Sequence, residues 1–347
     1  MEERFKNILQ KKYIFRGLAL FSLFTLAGLL IGFIWKGTRN IISIILSIDL
    51  RFLIIMFLLI FVDWILLGYR IFLFTKEISN KVRFLDCFKA NLVNTCVGAI
   101  TPSQTGGSVG QLYILYQAGL PLAGGFTISI ITFLSTLLFF LFSIFFVIIF
   151  TPYLYAGKIA HLIQYCLAVF GFVVVFFILL LIKPEIVFKL LSIISSSRLV
   201  KMNPHIHHIF QLMTQKVKNL INDYKGYTTF FIKRKKRVVL ACVFITFVIY
   251  INKYLIAYSI AKSLDNSISF HNVFFTQILL TFISYFSPTP GASGISELSA
   301  TYFMDSFMHE GTALIFTSIW RFSTTYFELI VGGIILIIQL ISVKNRL

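Results

Sequence analysis

Residues 273–304 read VFFTQILLTFISYFSPTPGASGISELSATYFM, an apolar stretch broken at Pro288-Thr289-Pro290-Gly291-Ala292-Ser293-Gly294. Proline removes a backbone donor and disfavours helix at the residue before it, so a helix entering this run stops there. The arms on either side hold roughly 11–17 residues, too few to cross a bilayer core of about 30 Å. They suit a helical hairpin that enters the membrane and leaves by the same face. A second stretch, from about Phe84 to Gly119, has the same build, with its break at Thr101-Pro102-Ser103-Gln104-Thr105-Gly106-Gly107.

Outward from these two hairpins, six segments are long and apolar enough to span: Ile14–Trp35, Phe52–Phe74, Leu122–Phe150, Ile159–Ile182, Val238–Ala261 and Thr312–Ile341. The rest of the composition agrees. The 347 residues have a mean hydropathy of +0.89, with 58% hydrophobic and only 13% charged residues. A soluble domain carries roughly 25% charged residues. Ile14–Trp35 is too long for a signal-peptide core and no small-residue cleavage site follows it, so a membrane-embedded first helix is expected. Cys87, Cys96, Cys166 and Cys242 lack CxxC spacing and sit in apolar or amphipathic stretches, which points to buried inert thiols.

The net charge of +18 would suit a nucleic-acid binder, but its placement points to a membrane surface instead. Between the spans and at the termini, Lys and Arg divide 23 to 5 between alternate sides. The rich side holds both termini and the loop 183–237, which ends in Lys233-Arg234-Lys235-Lys236-Arg237. By the positive-inside rule that side is the cytoplasm. The division holds only if both broken stretches return to the face they entered. The expected fold is therefore an all-α integral membrane protein with six transmembrane helices and two re-entrant helical hairpins. It forms one domain of two inverted-topology repeats, 14–150 and 159–341, each ordered span, span, hairpin, span, and such repeats are a recurrent transporter plan. The expected location is the bacterial cytoplasmic (inner) membrane.

Within loop 183–237, Ile206, Ile209, Phe210, Met213, Val217, Leu220, Ile221 and Tyr224 form a helical stripe, with Lys216, Lys218 and Lys225 off it. This is either an amphipathic helix on anionic lipid headgroups or a solvated helix covering the membrane domain. His205, His207 and His208 crowd together, but neighbours on a helix point apart and no Cys or carboxylate is near, so no metal site is read there. No P-loop, GxSxG motif or paired catalytic carboxylates occur, and neither a cofactor nor an enzyme activity is expected.

The chemistry is sought in the hairpins and in the few charges within spans. A helix that begins inside a membrane aims unpaired N–H groups and a partial positive charge at its surroundings. The second arm of each hairpin begins in this way, at Gly107-Ser108 and at Ser293-Gly294, each preceded by a Thr-Pro pair. Two such ends facing each other would receive a phosphate; equally, Pro102, Pro290, Gly106 and Gly291 turn the hairpins and Ser293 caps a helix. Asp63, Arg70, Lys253, Glu297, Arg321 and Glu328 are the ionisable residues inside apolar segments, where a charge is costly unless paired or wetted. Arg70 lies toward the cytoplasmic end of its span and can snorkel, and Lys253 has a long stem. Arg321 and Glu328, seven residues apart, fall on one helix face. Glu297 and Arg321 form either a structural pair or a site in which Arg321 holds a phosphate.

At these motifs the sequence resembles the lysylphosphatidylglycerol synthase transmembrane-region family of flippase-like membrane proteins. The likeness runs from the first span to Ile341. It rests on Thr101-Pro102-Ser103-Gln104-Thr105-Gly106-Gly107-Ser108 with Gln111-Leu112-Tyr113 and Gly119, and on Pro288-Thr289-Pro290-Gly291-Ala292-Ser293-Gly294-Ile295-Ser296-Glu297, with Arg321 as the arginine of the last span. Ala292 stands where the family's motif has a second glycine. The family's soluble aminoacyl-transferring domain is also not in this sequence, so lipid synthesis is not expected.

The resemblance implies movement of a lipid between leaflets through a central cavity. The substrate expected is an anionic or zwitterionic phospholipid, its aminoacylated form, or a polyprenyl-phosphate-linked sugar. The substrate-binding residues expected are Thr101, Pro102, Gly106, Gly107, Ser108, Gln111, Pro290, Gly291, Ser293, Gly294, Glu297, Arg321 and Glu328. A competing reading is a non-transporting subunit or scaffold for a separately encoded glycosyltransferase or lipid synthase. A third is a membrane enzyme acting in the cavity. Partners beyond the lipid would be a second copy of the chain or a lipid-modifying enzyme; nucleic acid is not one.

Overall fold

The computed structural model describes residues 11–36, 41–101, 104–150, 159–185, 204–309 and 311–344. Among them are α-helices, two π-helical turns and no strand. In chain order the helices are α1 (Lys11–Lys36), α2 (Ile41–Leu46), α3 (Leu50–Ile78), α4 (Phe84–Ala99), α5 (Gly107–Gln117), α6 (Leu122–Phe150) and α7 (Ile159–Ile182). After these come α8 (Pro204–Thr229), α9 (Lys236–Leu264), α10 (Phe270–Tyr285), α11 (Ile295–Asp305), α12 (Thr312–Arg321) and α13 (Phe327–Lys344). The π-turns are Phe230–Arg234, joining α8 to α9, and Phe322–Tyr326, joining α12 to α13.

Five stretches are long and apolar enough to cross a membrane: Arg16–Ile34, Leu50–Ile78, Leu122–Phe146, Lys236–Leu264 and Thr312–Ser342. The remaining segment, α7, contributes the shorter apolar stretch Leu167–Leu181. The surface matches a hydrocarbon solvent rather than water. Phe172 is 73% exposed and Phe244 70%, while Asp63, Asn252, Glu297, Arg321 and Glu328 are buried. The protein is a multi-pass integral membrane protein.

Both apolar stretches broken by Pro and Gly fold as a helix, a turn and a second helix. The arms have equal lengths in the two cases: 16 and 11 residues for α4 and α5, and 16 and 11 for α10 and α11. The helices leading into them, α3 and α9, are each 29 residues.

Those two long helices lie antiparallel along their whole length. At one end Lys235, just before α9, pairs with Glu77 at 2.6 Å. At the other, the Asp49 N–H donates to the Ser263 carbonyl at 3.0 Å. Between them Thr246 meets Arg70, Asn252 donates to the Leu59 carbonyl at 3.0 Å and Ser259 to the Phe52 carbonyl at 2.6 Å. Side chains that donate to a neighbouring helix's carbonyls are a strong tie where no water competes.

Around this axis the remaining helices pack through aromatic and small residues. Phe139 of α6 stacks on Tyr250 of α9 at 4.3 Å between ring centroids, and Phe140 packs edge-on against Tyr285 and Phe282 of α10. Phe133 of α6 meets Phe177 of α7 at 4.3 Å. On the other side α13 closes on α4, where a Cβ on Gly332 would lie 2.2 Å from the Leu92 carbonyl oxygen. Such backbone approach is how membrane helices gain dispersion contact without a hydrophobic driving force.

The α1 helix crosses both hairpin tips. A Cβ on Gly17 would sit 2.4 Å from the Ile100 carbonyl oxygen of the first tip, and one on Gly28 would sit 2.8 Å from the Gly294 Cα of the second. The tips also touch each other, since a Cβ on Gly291 would lie 2.9 Å from the Ala99 carbonyl oxygen.

The basic loop contributes α8. Of its apolar stripe, the side chains of Ile206, Ile209, Phe210 and Met213 lie outside the described set, as do those of the three histidines and Lys216. Val217, Leu220 and Ile221 are partly buried and Tyr224 is buried, while Lys218 is exposed. Phe231 of the following π-turn is fully buried against Phe74. The C-terminal half of α8 therefore covers protein. Cys87, Cys96 and Cys242 are free and buried, and the Cys166 side chain is outside the described residues.

Candidate functional site

The second hairpin tip is the most densely bonded polar region inside the bundle. The backbone there takes left-handed angles at Gly291 (φ 55°), Ala292 (φ 57°) and Gly294 (φ 81°). Ala292 is the strained member, because its Cβ crowds the following carbonyl in that region. The turn is held by Thr289, whose hydroxyl donates to the Ser293 carbonyl at 2.9 Å. Ser293 itself is fully buried and donates to the Pro290 carbonyl, so its hydroxyl hydrogen is already used.

The first turn of α11 is capped from within. The Gly294 N–H donates to Oε2 of Glu297 at 2.6 Å, satisfying an N–H that a helix start otherwise leaves open. The other carboxylate oxygen, Oε1, accepts from Arg321 Nε at 2.7 Å and from the Tyr326 hydroxyl at 3.1 Å. Arg321 then spends its remaining nitrogens locally. Nη2 donates to the Gly291 carbonyl at 3.0 Å and Nη1 to Thr325 at 3.0 Å. Its guanidinium also lies 5.7 Å from the Tyr326 ring centroid. Both partners are buried, Glu297 at 1% and Arg321 at 4% exposed. Arg321 thus binds a backbone carbonyl of the tip and a side chain of the π-turn that comes directly after it.

The first tip differs. Gln104, Thr105 and Ser108 are exposed, Thr101 and Gly106 are partly buried, and Gly107 is buried. The Thr101 hydroxyl accepts from the Gly106 N–H at 2.9 Å. Behind the tip, Asn94 donates to Gln111 at 2.9 Å, and Gln111 donates to Ser129 of α6 at 3.2 Å. Pro102 lies outside the described residues.

Glu328 does not join Arg321. Seven residues of α-helix would put the two on one face, but the π-turn Phe322–Tyr326 lies between them. Its i→i+5 bonds take up an extra residue and rotate α13 relative to α12. Glu328 instead accepts from the Trp64 indole N–H at 2.9 Å. It thereby joins a second polar centre, where Lys253 of α9 pairs with Asp63 of α3 at 2.7 Å and Asn252 approaches the same carboxylate at 3.5 Å. Asp63 and Lys253 carry a signal in the sequence, as charges inside apolar runs. Trp64, Tyr326 and Thr325 carry none, because nothing distinguishes them from the aromatic and hydroxyl residues that fill every span. Among the described residues there is no group of three or more His, Cys, Asp or Glu arranged to hold a metal ion.

Known proteins share this build in sequence. The family model for the lysylphosphatidylglycerol synthase TM region matches residues 15–332. A relative described as a UPF0104 membrane protein, from Archaeoglobus fulgidus, is 22% identical over 326 residues, covering 88% of this chain and 92% of the relative. No solved structure matches.

Proposed function

We propose that this chain, which belongs to the lysylphosphatidylglycerol synthase transmembrane-region family, carries a phosphate-bearing lipid between the leaflets of the cytoplasmic membrane. The observation that carries the reading is the meeting of the two hairpin tips at Ala99 and Gly291, with Arg321 bonded into one of them. Broken helices converging inside a bundle are where transporters bind their cargo. The matched lengths of α3–α4–α5 and α9–α10–α11 support two repeats of the same build. The 23-to-5 division of Lys and Arg supports their opposite orientation and cytoplasmic termini.

In this reading the headgroup phosphate replaces Glu297 on Arg321. A guanidinium fork suits two phosphate oxygens at once, which an ammonium does not reproduce. Glu297 keeps the Gly294 N–H and holds α11 in place while Arg321 turns to the substrate. The exposed first tip, with Gln104 and Ser108, offers donors from the other side. An open cleft of about 600 Å³ lined by Lys225, Gly226, Thr229, Phe230, Lys233 and Arg234 supports gathering of anionic headgroups at the cytoplasmic face.

A second reading has its own support. Arg321 already holds three partners, as it would if the Glu297–Arg321 pair only braced the tip and the chain served as a membrane scaffold for a separate enzyme. Lipid scrambling in reconstituted vesicles, measured beside thermal stability, separates the two. Transport predicts that Arg321→Lys stays folded and loses most scrambling. The bracing role predicts that Glu297→Gln and Arg321→Met each destabilise the protein and that the double variant recovers. A normal rate in Arg321→Lys ends the role of Arg321 as substrate ligand.

A further inference from the structure

Arg70 is a partly buried charge that belongs to neither polar centre. It lies eight residues before the end of α3, about 12 Å along the helix from that end at ~1.5 Å per residue. Its side chain is partly buried, and its guanidinium reaches sideways to two neighbouring helices. Nη1 reaches Thr246 of α9 at 3.2 Å and Thr136 of α6 at 3.4 Å, both long for such a bond. Both hydroxyls spend their own hydrogens on carbonyls of the preceding turn, Thr246 on Cys242 and Thr136 on Thr132. They can only accept from Arg70, and neither carries charge. Nε is buried and has no partner.

No carboxylate among the described residues forms an ion pair with Arg70. The acids on its own helix face, Asp63 and Glu77, are each two turns away and engaged, by Lys253 and Lys235 respectively. Glu328, which also faces Lys253, is bonded to Trp64. Tyr250 and Tyr285 lie within electrostatic reach of Arg70, and they pack in turn on the rings of Phe139 and Phe140. A guanidinium with an unused buried N–H and only neutral acceptors has the donors and the charge to take an oxyanion. An arginine left unpaired in such surroundings is costly, and an oxyanion would remove that cost.

We propose that Arg70, with Thr136 and Thr246, binds the phosphate of a lipid headgroup in the cytoplasmic half of the bundle. It is a station separate from the Arg321 tip. The inference rests on the transport reading for the direction of travel, but its test does not. The probe lipid is phosphatidylglycerol, added to the full chain in neutral detergent. Monogalactosyl-diacylglycerol, which has no phosphate, and inorganic phosphate are run alongside.

Thermal unfolding of the wild type should rise with phosphatidylglycerol and not with the galactolipid. Arg70→Met should unfold at a higher temperature than the wild type without lipid, and its apparent affinity for phosphatidylglycerol should fall about tenfold or more. Arg70→Lys should keep part of that affinity. If Arg70→Met is less stable without lipid and keeps the full lipid shift, Arg70 is compensated at longer range, by Glu328 for example, and the proposal fails. Inorganic phosphate giving a shift as large as the lipid overturns the lipid as the source of the anion. A wild type that gives the Arg70-dependent shift but does not scramble lipid refutes the transport reading and leaves this site standing.

Discussion

Asp63 and Lys253 pair at 2.7 Å near the midpoints of α3 and α9, the two antiparallel 29-residue helices on which the bundle is built. The pair is unequal, with the aspartate side chain 2% exposed and the lysine 30%. Without Asp63 the more exposed Lys253 still faces Glu328, whereas without Lys253 the buried Asp63 keeps only the amide of Asn252. Lys253→Met should therefore cost more than Asp63→Asn, about 3 kcal/mol or more against a smaller loss. The double variant should recover most of the stability. Equal single losses that simply add would show that the two charges are independent.

Gly332 tests how closely α13 must approach α4. Its neighbour is a backbone oxygen, which no side-chain rotation can move away. Gly332→Ala should destabilise by about 1–3 kcal/mol in thermal unfolding, the range for an overpacked contact. At Gly333 the nearest atom to an added Cβ is the Cys96 sulfur at 3.7 Å. Gly333→Ala should be neutral or slightly stabilising, since alanine favours helix. Equal effects at the two sites would contradict a close approach of α13 to α4 at Gly332.

Asp265, just beyond α9, supplies a pH-dependent element outside the spans. Burial pushes its carboxyl up, but bonds from the Ser267 hydroxyl and N–H and from His309 outweigh this and hold it below its ordinary value of 3.8. A carboxyl depressed in the folded state stabilises the protein above its unfolded value and loses that contribution as pH falls through the folded one. Stability should thus decline below about pH 3.8, and Asp265→Asn should flatten that acid limb while lowering stability at neutral pH. An unchanged acid limb would place the acid sensitivity elsewhere.

The orientation of the hairpins is checked by cysteine labelling. Single cysteines in 78–88 should react with an impermeant reagent from the cytoplasmic side, and those in 264–272 from the outside. Positions 84 and 119 labelled from opposite sides would mean that the first stretch crosses the membrane, and the two-repeat arrangement would fall.

Much of the architecture is readable because its signals are local. Pro102, Pro288 and Pro290 interrupt runs that are otherwise apolar, and the runs between interruptions have lengths that a bilayer constrains. The unreadable part depends on distant packing. No Pro or Gly marks Phe322-Ser323-Thr324-Thr325-Tyr326 as a π-turn, so a count of seven residues places Glu328 beside Arg321 when it belongs with Trp64. The two serines at the tips also look alike in sequence. Ser293 is locked inside while Ser108 faces outward, because the helices around them differ. The position of Arg70 along its helix predicts a route to the surface. Arg70 is indeed partly exposed, and only the neighbouring Thr136 and Thr246 reveal the sideways contacts of its Nη1.

The manner in which α1 rests on the two tips has a mechanical consequence. Gly17 and Gly28 let the backbone of the rod come down onto both tips, and between them the ring of Phe21 seats against Gly291. Dispersion across such close seats loses roughly a quarter to a half of its strength over a gap of about 0.5–1 Å. A single rod seated on both tips also ties their movements together, since neither can rise without lifting or sliding beneath it. A bulky residue at position 28 would prop the rod away from the second tip while leaving the first seat intact. The helix α1 is in this sense a strut whose grip depends on two missing side chains and one ring.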